Sequence, residues 1–467
     1  MHTTGPLEVL HEEFCGELII PGDPRYDDSR AVFNAMIDRR PALIARCATT
    51  GDVAAAVRFA RETKLVLAVR SGGHSVTGLG VCDGGIVVDL GGLKRIDVDA
   101  VAKTARVGGG VLWGELDAAT QAHGLHTPGG RVTTTGVGGF TTGGGYGWTS
   151  SKHGLACDNL VSAEVVLADG DVVTASEREN ADLFWGIRGG GGNFGIVTEF
   201  EFRLHELGPT VLAGLALWSL ERAPEVMRAW RDYADAAPDE ISTACVVVTA
   251  PPEDFVPDHL KGRPALGVAV LHVGDPDEGV PAVRPLKDLR PDLDHIGPMP
   301  YAAFQAALDA TAPPGWRSYW RGEYLPSLPD DAVDTFLDNG AALVEAAPPL
   351  SQAVIFRIGQ AIAAVPETAT AFSHRDANYL FHPIVAWKDG ADDARMIARG
   401  RAFAETMRRF GTGGAYLNFT PEADRVHDAY GAADYERLVA LKATYDPDNL
   451  FRLNQNIAPH TVHGAAL

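Results

Sequence analysis

The sequence lacks the features of membrane, secreted and disulfide-bonded proteins. None of its 467 residues belongs to an apolar run approaching the roughly 18 residues that a membrane span needs. Residues 1–10 contain no basic segment followed by an apolar one, so no secretory signal is predicted. The five cysteines are odd in number, scattered and without a Cys-x-x-Cys pair, which argues against a disulfide framework and a zinc site. We therefore predict a cytoplasmic protein without a metal centre.

Positive charge is scarce as well. The chain carries 40 lysines and arginines against 61 aspartates and glutamates, a formal net charge of −21. This excess of negative charge argues against nucleic acid and anionic membranes as partners. A hydrophobic content of 46% with 22% charged residues is typical of a soluble globular protein, and the length predicts two domains.

The first part of the chain, up to about Leu207, alternates predicted strands and helices. Strands are expected at residues 42–46, 66–69, 86–90 and 105–107. Thr49 or Thr50 is placed to cap a helix that begins near Asp52. Glycine is unusually dense between residues 72 and 195, which indicates close approach of the backbone to a ligand or positive backbone φ angles.

After Leu207 the composition changes. Prolines become frequent, and the glycine clusters stop until about Gly411. Amphipathic helices such as Ala223–Ala236 alternate with strands such as Thr243–Thr249 and Leu266–Val273. We predict that this middle part forms an α+β domain of its own.

The first glycine motif is the run Arg70–Ser75, with the sequence RSGGHS, which follows a predicted strand. A strand that ends in Ser-Gly-Gly exposes successive backbone N–H groups, and such groups form an anion-binding nest that suits a diphosphate. His74 closes the run, within reach of whatever the nest holds. Taken alone, the pattern favours an ordinary tight turn whose histidine bonds a carbonyl.

The second motif is Gly136–Gly147, with the sequence GVGGFTTGGGYG. Its seven glycines leave little side-chain bulk, so a flat ring or a phosphate can lie against bare backbone. No lysine follows the glycines, so the motif is not a P-loop. Because a glycine loop of this length is entropically costly, a binding function is favoured over a purely structural one.

The third motif, Gly189–Gly195, has the sequence GGGGNFG and matches the spacing of the dinucleotide-binding fingerprint. That fingerprint must follow a strand and open a helix. Here a helix-like stretch precedes the motif, and the predicted strand Ile196–Phe202 follows it. We therefore reject a Rossmann site.

Five segments, taken in order, resemble the covalent FAD-linked oxidases of the vanillyl-alcohol-oxidase superfamily, in particular its berberine-bridge-enzyme-like branch. The matching segments are Arg70–Ser75, Gly136–Gly147, His153–Leu160, Arg188–Val197 and Tyr445–Ile457. The resemblance spans nearly the whole chain and implies an α+β fold of two domains. An FAD-binding domain is expected at 1–206 and a substrate domain with an antiparallel sheet at 207–410. The segment 411–467 is expected to return to the FAD domain.

The resemblance also implies that His74 bonds covalently to the 8α-methyl group of FAD. A neutral imidazole is a nucleophile near pH 7, so this chemistry is reasonable. Many relatives carry a second link, from a cysteine four residues before the first glycine of Gly-Val-Gly-Gly, and that position is Val132 here. We therefore predict a single link, through His74, with Cys157 as a packing residue or a backbone contact to the cofactor.

Further cofactor-binding positions are implied by the same resemblance. The first motif would hold the diphosphate, and the later motifs would line the rest of the cofactor. Besides His74, the positions are Arg70, Ser71, Gly72, Gly73, Ser75, Thr135, Gly138, Gly139, Gly143, Tyr146, Asn159, Val197, Tyr416 and Asn454. For Asn454 the residues alone predict only a turn beside a helix.

Three side chains are candidates for the catalytic base. Tyr146 and Tyr416 match tyrosines near the substrate in relatives, although each is equally well explained as an aromatic wall residue. A tyrosine needs a neighbouring cation or hydrogen-bond partner to act as a base, because its ordinary pKa is near 10. His382 is the third candidate, on a strand where plant relatives place a catalytic glutamate, with the alignment open between Phe381 and His382. Two further residues expected to line the pocket are Gln360 and Tyr379.

These features predict an FAD-dependent oxidase that removes a hydride from an alcohol, amine or secondary-metabolite substrate, with O2 as the acceptor. One alternative is a flavin dehydrogenase that uses another acceptor. The family hinders oxygen with a bulky residue before Gly-Val-Gly-Gly, and the small Thr135 stands there, which favours the oxidase. A second alternative is a non-redox binding protein that has lost its cofactor, against which the intact His74 and glycine loops argue. The substrate itself is not identified.

Overall fold

The structure is a computed structural model that describes residues 6–420 and 425–459. Residues 1–5, 421–424 and 460–467, which belong to the first and last predicted segments, lie outside the described residues. None of the helices within the described ranges combines the length and the hydropathy that a membrane span requires.

The N-terminal part of the chain forms a four-stranded sheet in the order β1-β2-β4-β3. The strands are β1 (Glu17–Ile19), β2 (Leu43–Arg46), β3 (Leu67–Arg70) and β4 (Ile86–Asp89). The accompanying helices are α1 (Pro6–Glu13), α2 (Tyr26–Arg30) and α3 (Thr50–Thr63). Strands β2, β3 and β4 are parallel, and α3 begins at a capping box between Thr49 and Asp52, as the sequence predicts. The parallel arrangement brings the ends of β3 and β4 to one edge of the sheet.

A five-stranded antiparallel sheet follows, in the order β5-β6-β10-β8-β9. Its strands are β5 (Ile96–Asp99), β6 (Thr104–Gly108), β8 (Leu160–Val166), β9 (Val172–Ser176) and β10 (Ile196–Arg203). The helices here are α4 (Trp113–Gln121), α5 (Val137–Thr142), α6 (Ser150–His153) and α7 (Ala181–Ile187). A separate two-stranded pair joins β7 (Leu125–His126) to β11 (His205–Glu206). Because the motif Gly189–Gly195 follows α7 and precedes β10, the rejection of a Rossmann site is confirmed.

The middle of the chain forms a nine-stranded antiparallel sheet with the path β15-β12-β14-β13-β19-β20-β17, in which β16 pairs with β12 and β18 with β20. Its strands are β12 (Thr210–Ser219), β13 (Ile241–Thr249), β14 (Pro264–His272), β15 (Leu293–Asp294), β16 (Gly297–Pro300), β17 (Arg317–Trp320), β18 (Glu323–Leu325), β19 (Gln352–Arg357) and β20 (Tyr379–Trp387). The helices are α8 (Ala223–Ala236), α9 (Pro276–Asp288), α10 (Tyr301–Gln305), α11 (Asp330–Ala346), α12 (Gln360–Ala364) and α13 (Asp393–Arg408). The predicted boundaries of α8 agree with the structure to the residue.

The two faces of this nine-stranded sheet belong to different cores. Because side chains alternate along a strand, Ile355 and Phe381 pack in a core with residues of α8, α11 and α13. Val354, Phe356 and Leu380, on the opposite face, pack in a second core that includes Tyr146, Trp148 and Tyr416. This second core joins the sheet to the glycine-rich part of the chain.

The last described helix, α14 (Ala432–Tyr445), packs away from the nine-stranded sheet. Its Leu438 and Leu441 lie in a core with Leu183, on the helix that precedes the third glycine motif, and with Phe194 of that motif. The helix α14 thus packs against the first part of the chain, and the division at 206 and 410 stays a prediction.

Candidate flavin site and substrate face

The first two glycine motifs interlock. A Cβ atom on Gly72 would overlap the backbone of Gly136, and a Cβ atom on Gly136 would overlap the backbone of Gly72. The Ser71 hydroxyl fastens the contact, because it donates to the Gly109 carbonyl at 2.7 Å and accepts from the Gly138 N–H at 3.4 Å. Only glycine permits this approach of two backbones, and the approach brings His74 next to the start of the second motif.

The loop after β3 presents unpaired backbone donors. Within residues 6–420 and 425–459, no hydrogen bond involves the N–H groups of Gly72, Gly73, His74 or Ser75 as donors. Gly73 has a φ of +69°, and the loop is partly exposed. Successive N–H groups around a left-handed residue form an anion-binding nest. The geometry therefore fits a diphosphate at this loop.

His74 is held from two sides. Its Nε2 lies 2.7 Å from the Thr134 hydroxyl oxygen, and its ring stacks on Phe33 with centroids 4.3 Å apart. Burial lowers the pKa of His74 to about 4, against a smaller raising effect of Asp309. The imidazole is therefore neutral near pH 7, with a lone pair on one ring nitrogen.

The two polar side chains that flank this loop bond mainly within the chain. The Arg70 guanidinium is buried and donates to the Asp89 carboxylate at 2.8 Å and to the Ala31 carbonyl at 3.4 Å. The Ser75 hydroxyl bonds the Thr77 hydroxyl at 3.0 Å and accepts from the Leu79 N–H at 3.3 Å. Both residues thus stabilise the loop, and a direct contact of either with a cofactor stays a prediction.

Gly139, Gly192 and Asn454 provide open space and an unpaired oxygen in the later motifs. A Cβ atom on Gly139 or Gly192 would meet no atom within 4 Å, and both glycines are exposed. The Asn454 amide donates to the Gly192 carbonyl at 3.0 Å, while its buried Oδ1 has no partner in the described part of the chain. The bare backbone, the N–H nest and this acceptor together fit a large cofactor such as FAD.

Four further predicted cofactor residues differ in their hydrogen bonds, packing and exposure. The Asn159 amide donates to two carbonyls at 2.8 Å and accepts from His205, so its side chain is occupied within the chain. A Cβ atom on Gly143 would overlap the Asn418 amide, which explains this glycine by packing. Val197 is buried on β10, whereas Thr135 is partly exposed beside Gly136. Of these four, Thr135 has the clearest access to a bound cofactor.

A continuous run of aromatic rings connects His74 with the candidate catalytic residues. Neighbouring ring centroids along it are 4.3, 5.5, 5.7, 3.8 and 4.9 Å apart. In order, its members are His74, Phe33, Trp320, His382, Phe419 and Tyr416. The run crosses from the first part of the chain to the nine-stranded sheet and on to the C-terminal segment, so three distant segments meet along it.

The two candidate tyrosines have opposite hydrogen-bonding roles. The Tyr416 oxygen accepts from the N–H groups of Gly145 and Tyr146 at 3.2 and 3.0 Å and from the Asn418 amide at 3.0 Å. Burial raises the pKa of Tyr416 to about 12, and these three donors oppose the rise. The Tyr146 hydroxyl instead donates to the Arg357 carbonyl at 2.8 Å. Negative charge is therefore better supported on the Tyr416 oxygen than on Tyr146.

The ambiguity between Phe381 and His382 is resolved by the faces of β20. Phe381 packs in the helix-covered core, whereas the His382 ring stacks on Phe419 at 3.8 Å. The Nδ1 of His382 lies 2.7 Å from the Arg321 carbonyl, so Nδ1 carries the proton and Nε2 is left as an acceptor. Burial lowers the pKa of His382 to about 3 and keeps the ring neutral.

One of the two pocket-lining expectations is wrong. Tyr379 lies on the helix-covered face of β20, where its ring packs near Trp230 and its hydroxyl donates to Asp235 at 2.5 Å. The alternation of β20 explains this error, because Tyr379 and His382 are three residues apart and point to opposite faces. Gln360 is exposed at the start of α12, and its place in the pocket stays a prediction.

An unpaired buried cation lies beside the candidate tyrosines. The Arg131 guanidinium carbon is 4.3, 4.7 and 4.2 Å from the ring centroids of Tyr146, Trp148 and Phe356. Its nitrogens donate to the carbonyls of Tyr146 and Gly147, and no carboxylate among the described residues pairs with it. Burial raises the pKa of Tyr146, and the charge of Arg131 opposes the rise.

The two positions considered for a second flavin link differ in exposure. Val132 is partly exposed beside the second motif. Cys157 is buried in a core with Leu155, and its burial raises the thiol pKa well above the ordinary value. A thiol of this kind is a poor nucleophile, so the structure offers Cys157 no reactive role.

Several site residues were not predicted from the sequence. They are Phe33, Thr134, Arg131, Trp320 and Phe419. Thr134 adjoins the predicted Thr135 and could have been suspected. The others carry no local signal, because an isolated aromatic or arginine side chain is common in any core or surface.

Comparison with known proteins finds FAD-binding relatives. A family model of FAD-binding domains matches residues 41–176, and a model described as berberine and berberine like matches residues 415–458. The chain is 32% identical to (R)-6-hydroxynicotine oxidase of Paenarthrobacter nicotinovorans over 95% of its own length and 97% of that enzyme. It is 30% identical to an FAD-linked oxidoreductase of Dictyostelium discoideum over 97% of the chain and 98% of the relative.

Solved structures give the same result for the fold. The crystal structure of 6-hydroxy-D-nicotine oxidase from Arthrobacter nicotinovorans superimposes with a TM-score of 0.84 at 31% identity, covering 96% of this chain and 98% of that one. The berberine-bridge-enzyme-like protein 1 of Physcomitrella patens has a TM-score of 0.86 at 24% identity, covering 98% and 100%. The similarity to the Physcomitrella protein is evidence for the fold only.

The fold and the site therefore define an FAD-linked oxidoreductase. The chain belongs to the berberine-bridge-enzyme-like family of the vanillyl-alcohol-oxidase superfamily. The fold class expected from the sequence, an FAD-binding domain with an antiparallel-sheet domain, is confirmed.

Proposed function

We propose that this protein is an oxidase that holds FAD covalently through His74 alone and oxidises a small alcohol, amine or secondary metabolite with O2 as the electron acceptor. The observation that carries the proposal is the aromatic run from His74 to Tyr416. It joins the residue suited to bond the cofactor to the side chains suited to act on a substrate. The relative of 32% identity that is named as an oxidase supports the same activity class.

FAD, when bound, would supply a two-electron acceptor for the hydride of the substrate. The chain's own residues would bind and orient the substrate and receive its proton. His382 offers a neutral Nε2 as a proton acceptor, held in place by the bond of Nδ1 to the Arg321 carbonyl. Tyr416, whose oxygen is surrounded by three donors, would hold the substrate's polar group or stabilise a developing negative charge.

In this proposal the predicted cofactor residues, together with Gly192, which was not predicted, have two roles. The N–H groups of Gly72 to Ser75 would hold the diphosphate, and the exposed backbone of Gly139 and Gly192 would lie against the rest of the cofactor. Asn454 would offer its unpaired Oδ1 to the cofactor. Ser71, Gly138 and Gly143 would act mainly by bringing the loops together.

The covalent link is tested by acid precipitation. We expect His74→Ala to release its FAD into the acid supernatant, while Cys157→Ala keeps the flavin in the pellet. The cysteine variant is the matched control, because Cys157 is buried and its thiol is unreactive. Loss of pellet-bound flavin in Cys157→Ala would contradict a single link through His74.

The electron acceptor is tested by following the substrate-reduced enzyme in air. We expect reoxidation within the turnover time, with release of peroxide. Thr135→Leu should slow this step without weakening substrate binding, because a larger side chain beside Gly136 obstructs access. Turnover by the wild type with an artificial acceptor but not with O2 would favour the dehydrogenase instead.

A further inference from the structure

One ring nitrogen of His74 is engaged by a hydrogen bond. Its Nε2 lies 2.7 Å from the Thr134 hydroxyl oxygen. A hydroxyl can both donate and accept, so this bond forms with either tautomer of the neutral ring. When Nε2 carries the proton and donates to Thr134, Nδ1 keeps its lone pair and can form a new bond. The contact thus holds Nε2 against Thr134 and leaves Nδ1 as the nitrogen available for attachment.

The plane of the same ring is fixed by Phe33. The two rings stack with an interplanar angle of 20° and centroids 4.3 Å apart, and the Phe33 N–H donates to the Gly73 carbonyl at 3.1 Å. Stacking on one side and the hydrogen bond at one edge leave the imidazole little freedom to rotate. A nucleophile held in this way needs less reorganisation before it forms a bond.

The loop that carries Thr134 is anchored by a residue from the middle of the chain. Asp309 accepts from the Thr133 N–H at 2.8 Å and from the Thr133 hydroxyl at 2.6 Å. Asp309 lies in a 3-10 helix, Ala306–Thr311, that follows α10. The partner of His74 is therefore held, through one intervening residue, by the part of the chain that also contributes the nine-stranded sheet.

We propose that Thr134 is a positioning residue for the covalent attachment of FAD to His74, and that Asp309 holds Thr134 in place from the substrate domain. The proposal rests on the covalent link in the proposed function. It makes attachment depend on correct docking of the middle segment, so that the flavin becomes bonded only in a chain whose two units are assembled.

Atoms and electrons balance in the attachment step. A bond forms between His74 Nδ1 and the flavin 8α-carbon, and a C–H bond of that carbon breaks. The proton from this carbon and the proton from His74 Nε2 leave, and two electrons remain on the flavin ring. O2, the acceptor of the proposed function, takes up the two electrons with two protons and becomes hydrogen peroxide. Thr134 is the first acceptor in contact with the departing Nε2 proton.

The test uses full-length chains purified without flavin from riboflavin-limited cells and then mixed with FAD. The rate at which fluorescence becomes acid-precipitable measures attachment, and the mass of the His74 peptide identifies the linked residue. We expect Thr134→Val to slow attachment about 10- to 100-fold, because the hydrogen bond that holds the ring at Nε2 is lost. Thr134→Ser should restore most of the rate. Thr127→Val is the matched control, since the Thr127 hydroxyl is buried and has no partner among the described residues.

A double-variant comparison tests the role of Asp309. Asp309→Ala should slow attachment by less than Thr134→Val, and the variant with both changes should be no slower than Thr134→Val alone. Additive losses would overturn the claim that Asp309 acts through Thr134. Binding of FAD without a bond is measured in His74→Ala with and without Thr134→Val, and the two affinities should agree. A large difference would mean that Thr134 binds the cofactor, and would overturn its role in positioning His74.

The outcomes separate this inference from the proposed function. Flavin that is entirely acid-extractable from the wild type would overturn the covalent link and with it the proposed function. A covalent wild type whose attachment rate is unchanged by Thr134→Val would overturn only the role of Thr134.

Discussion

At the scale of single residues, burial decides the charge of the groups in the site. His74 and His382 are neutral because their surroundings lower their pKa values to about 4 and about 3. Tyr416 is protonated in the free protein, because burial raises its pKa to about 12. The site therefore holds neutral acceptors near Arg131, a buried cation that pairs with no carboxylate among the described residues, and this arrangement can stabilise negative charge formed during the reaction.

The pH dependence of flavin attachment follows from His74. With a pKa of about 4, this histidine stays neutral from about pH 8 down to about pH 5.5, so attachment should keep a constant rate over that range. The rate should fall only as the pH approaches the pKa. The measurement is the rate of acid-precipitable fluorescence across a pH series. Half-loss of the rate near 6.5, the ordinary value for histidine, would contradict the lowered pKa.

Substitution of the three candidate catalytic side chains should lower the rate of flavin reduction by different amounts. Removing a general base or a stabilising hydroxyl costs about 10² to 10⁴ in rate, and we expect a loss in that range for Tyr416→Phe. Tyr146→Phe should affect mainly substrate binding, because its hydroxyl donates to a carbonyl of the chain. The loss of rate in His382→Ala should lie between those of the two tyrosine variants. Stopped-flow reduction of the flavin measures all three, with the flavin spectrum and covalent link as controls. If Tyr416→Phe reduces its flavin at the wild-type rate, Tyr416 lines the pocket without taking part in catalysis.

At the scale of elements, one buried ion pair fastens the C-terminal helix to the third glycine motif. Lys442 on α14 and Asp446, the residue that follows this helix, are both fully buried, with Nζ 2.6 Å from a carboxylate oxygen. The same Nζ donates to the carbonyls of Asn193 and Phe451 at 2.8 and 2.9 Å. Asp446 also accepts from the N–H groups of Leu450 and Phe451. The pair thus determines the position of the loop that leads to Asn454.

Removing the cation from this pair should strongly destabilise the fold. In Lys442→Met the Asp446 carboxylate loses its partner in a fully buried site, which should lower the free energy of unfolding by about 3–5 kcal/mol. Urea or thermal unfolding measures the loss. Lys94→Met is the control, because its ion pair with Glu115 is largely exposed and contributes about 0–1 kcal/mol. Equal effects of the two changes would contradict a structural role for the buried pair.

At the scale of the whole molecule, the contact between α4 and α10 contains a buried carboxyl group. Asp117 on α4 accepts a hydrogen bond from the Gln305 amide at 3.1 Å, across the proposed domain boundary. Burial raises the pKa of Asp117 to about 7, from 3.8. Because the folded pKa exceeds the unfolded one, the stability contributed by the neutral carboxyl is complete below about pH 4 and is lost as the pH rises through about 7.

The change Asp117→Asn tests this dependence. An amide keeps the shape and does not ionise, so the variant should lose less stability than the wild type between about pH 4 and about pH 7. The unfolding temperature of both proteins at each pH is the measurement. Nearby histidines with lowered pKa values, His126, His153 and His205, titrate in both proteins and cancel in the comparison. Parallel curves over that range would show that ionisation of Asp117 does not lower the stability.

Much of the fold was predictable because it depends on local patterns. The cap at Thr49, the helix Ala223–Ala236 and the strands around the first glycine motif follow from residue type and spacing, which act within a few positions along the chain. The five motifs, in their order along the chain, indicate the family and the flavin-binding segments. The density of glycine around residues 72 and 136 is visible in the sequence, but the contact between these two glycines is not.

What the sequence determined by itself is the set of segments, their order and the family they define. Tertiary structure alone decided that Phe33, Thr134, Trp320 and Phe419 join His74 and His382 in one site, and that His382 rather than Phe381 faces it. It also placed Tyr379 on the opposite face of the sheet. The physical reason is that these relations depend on strand pairing and packing between residues far apart in the chain, and no local pattern records them.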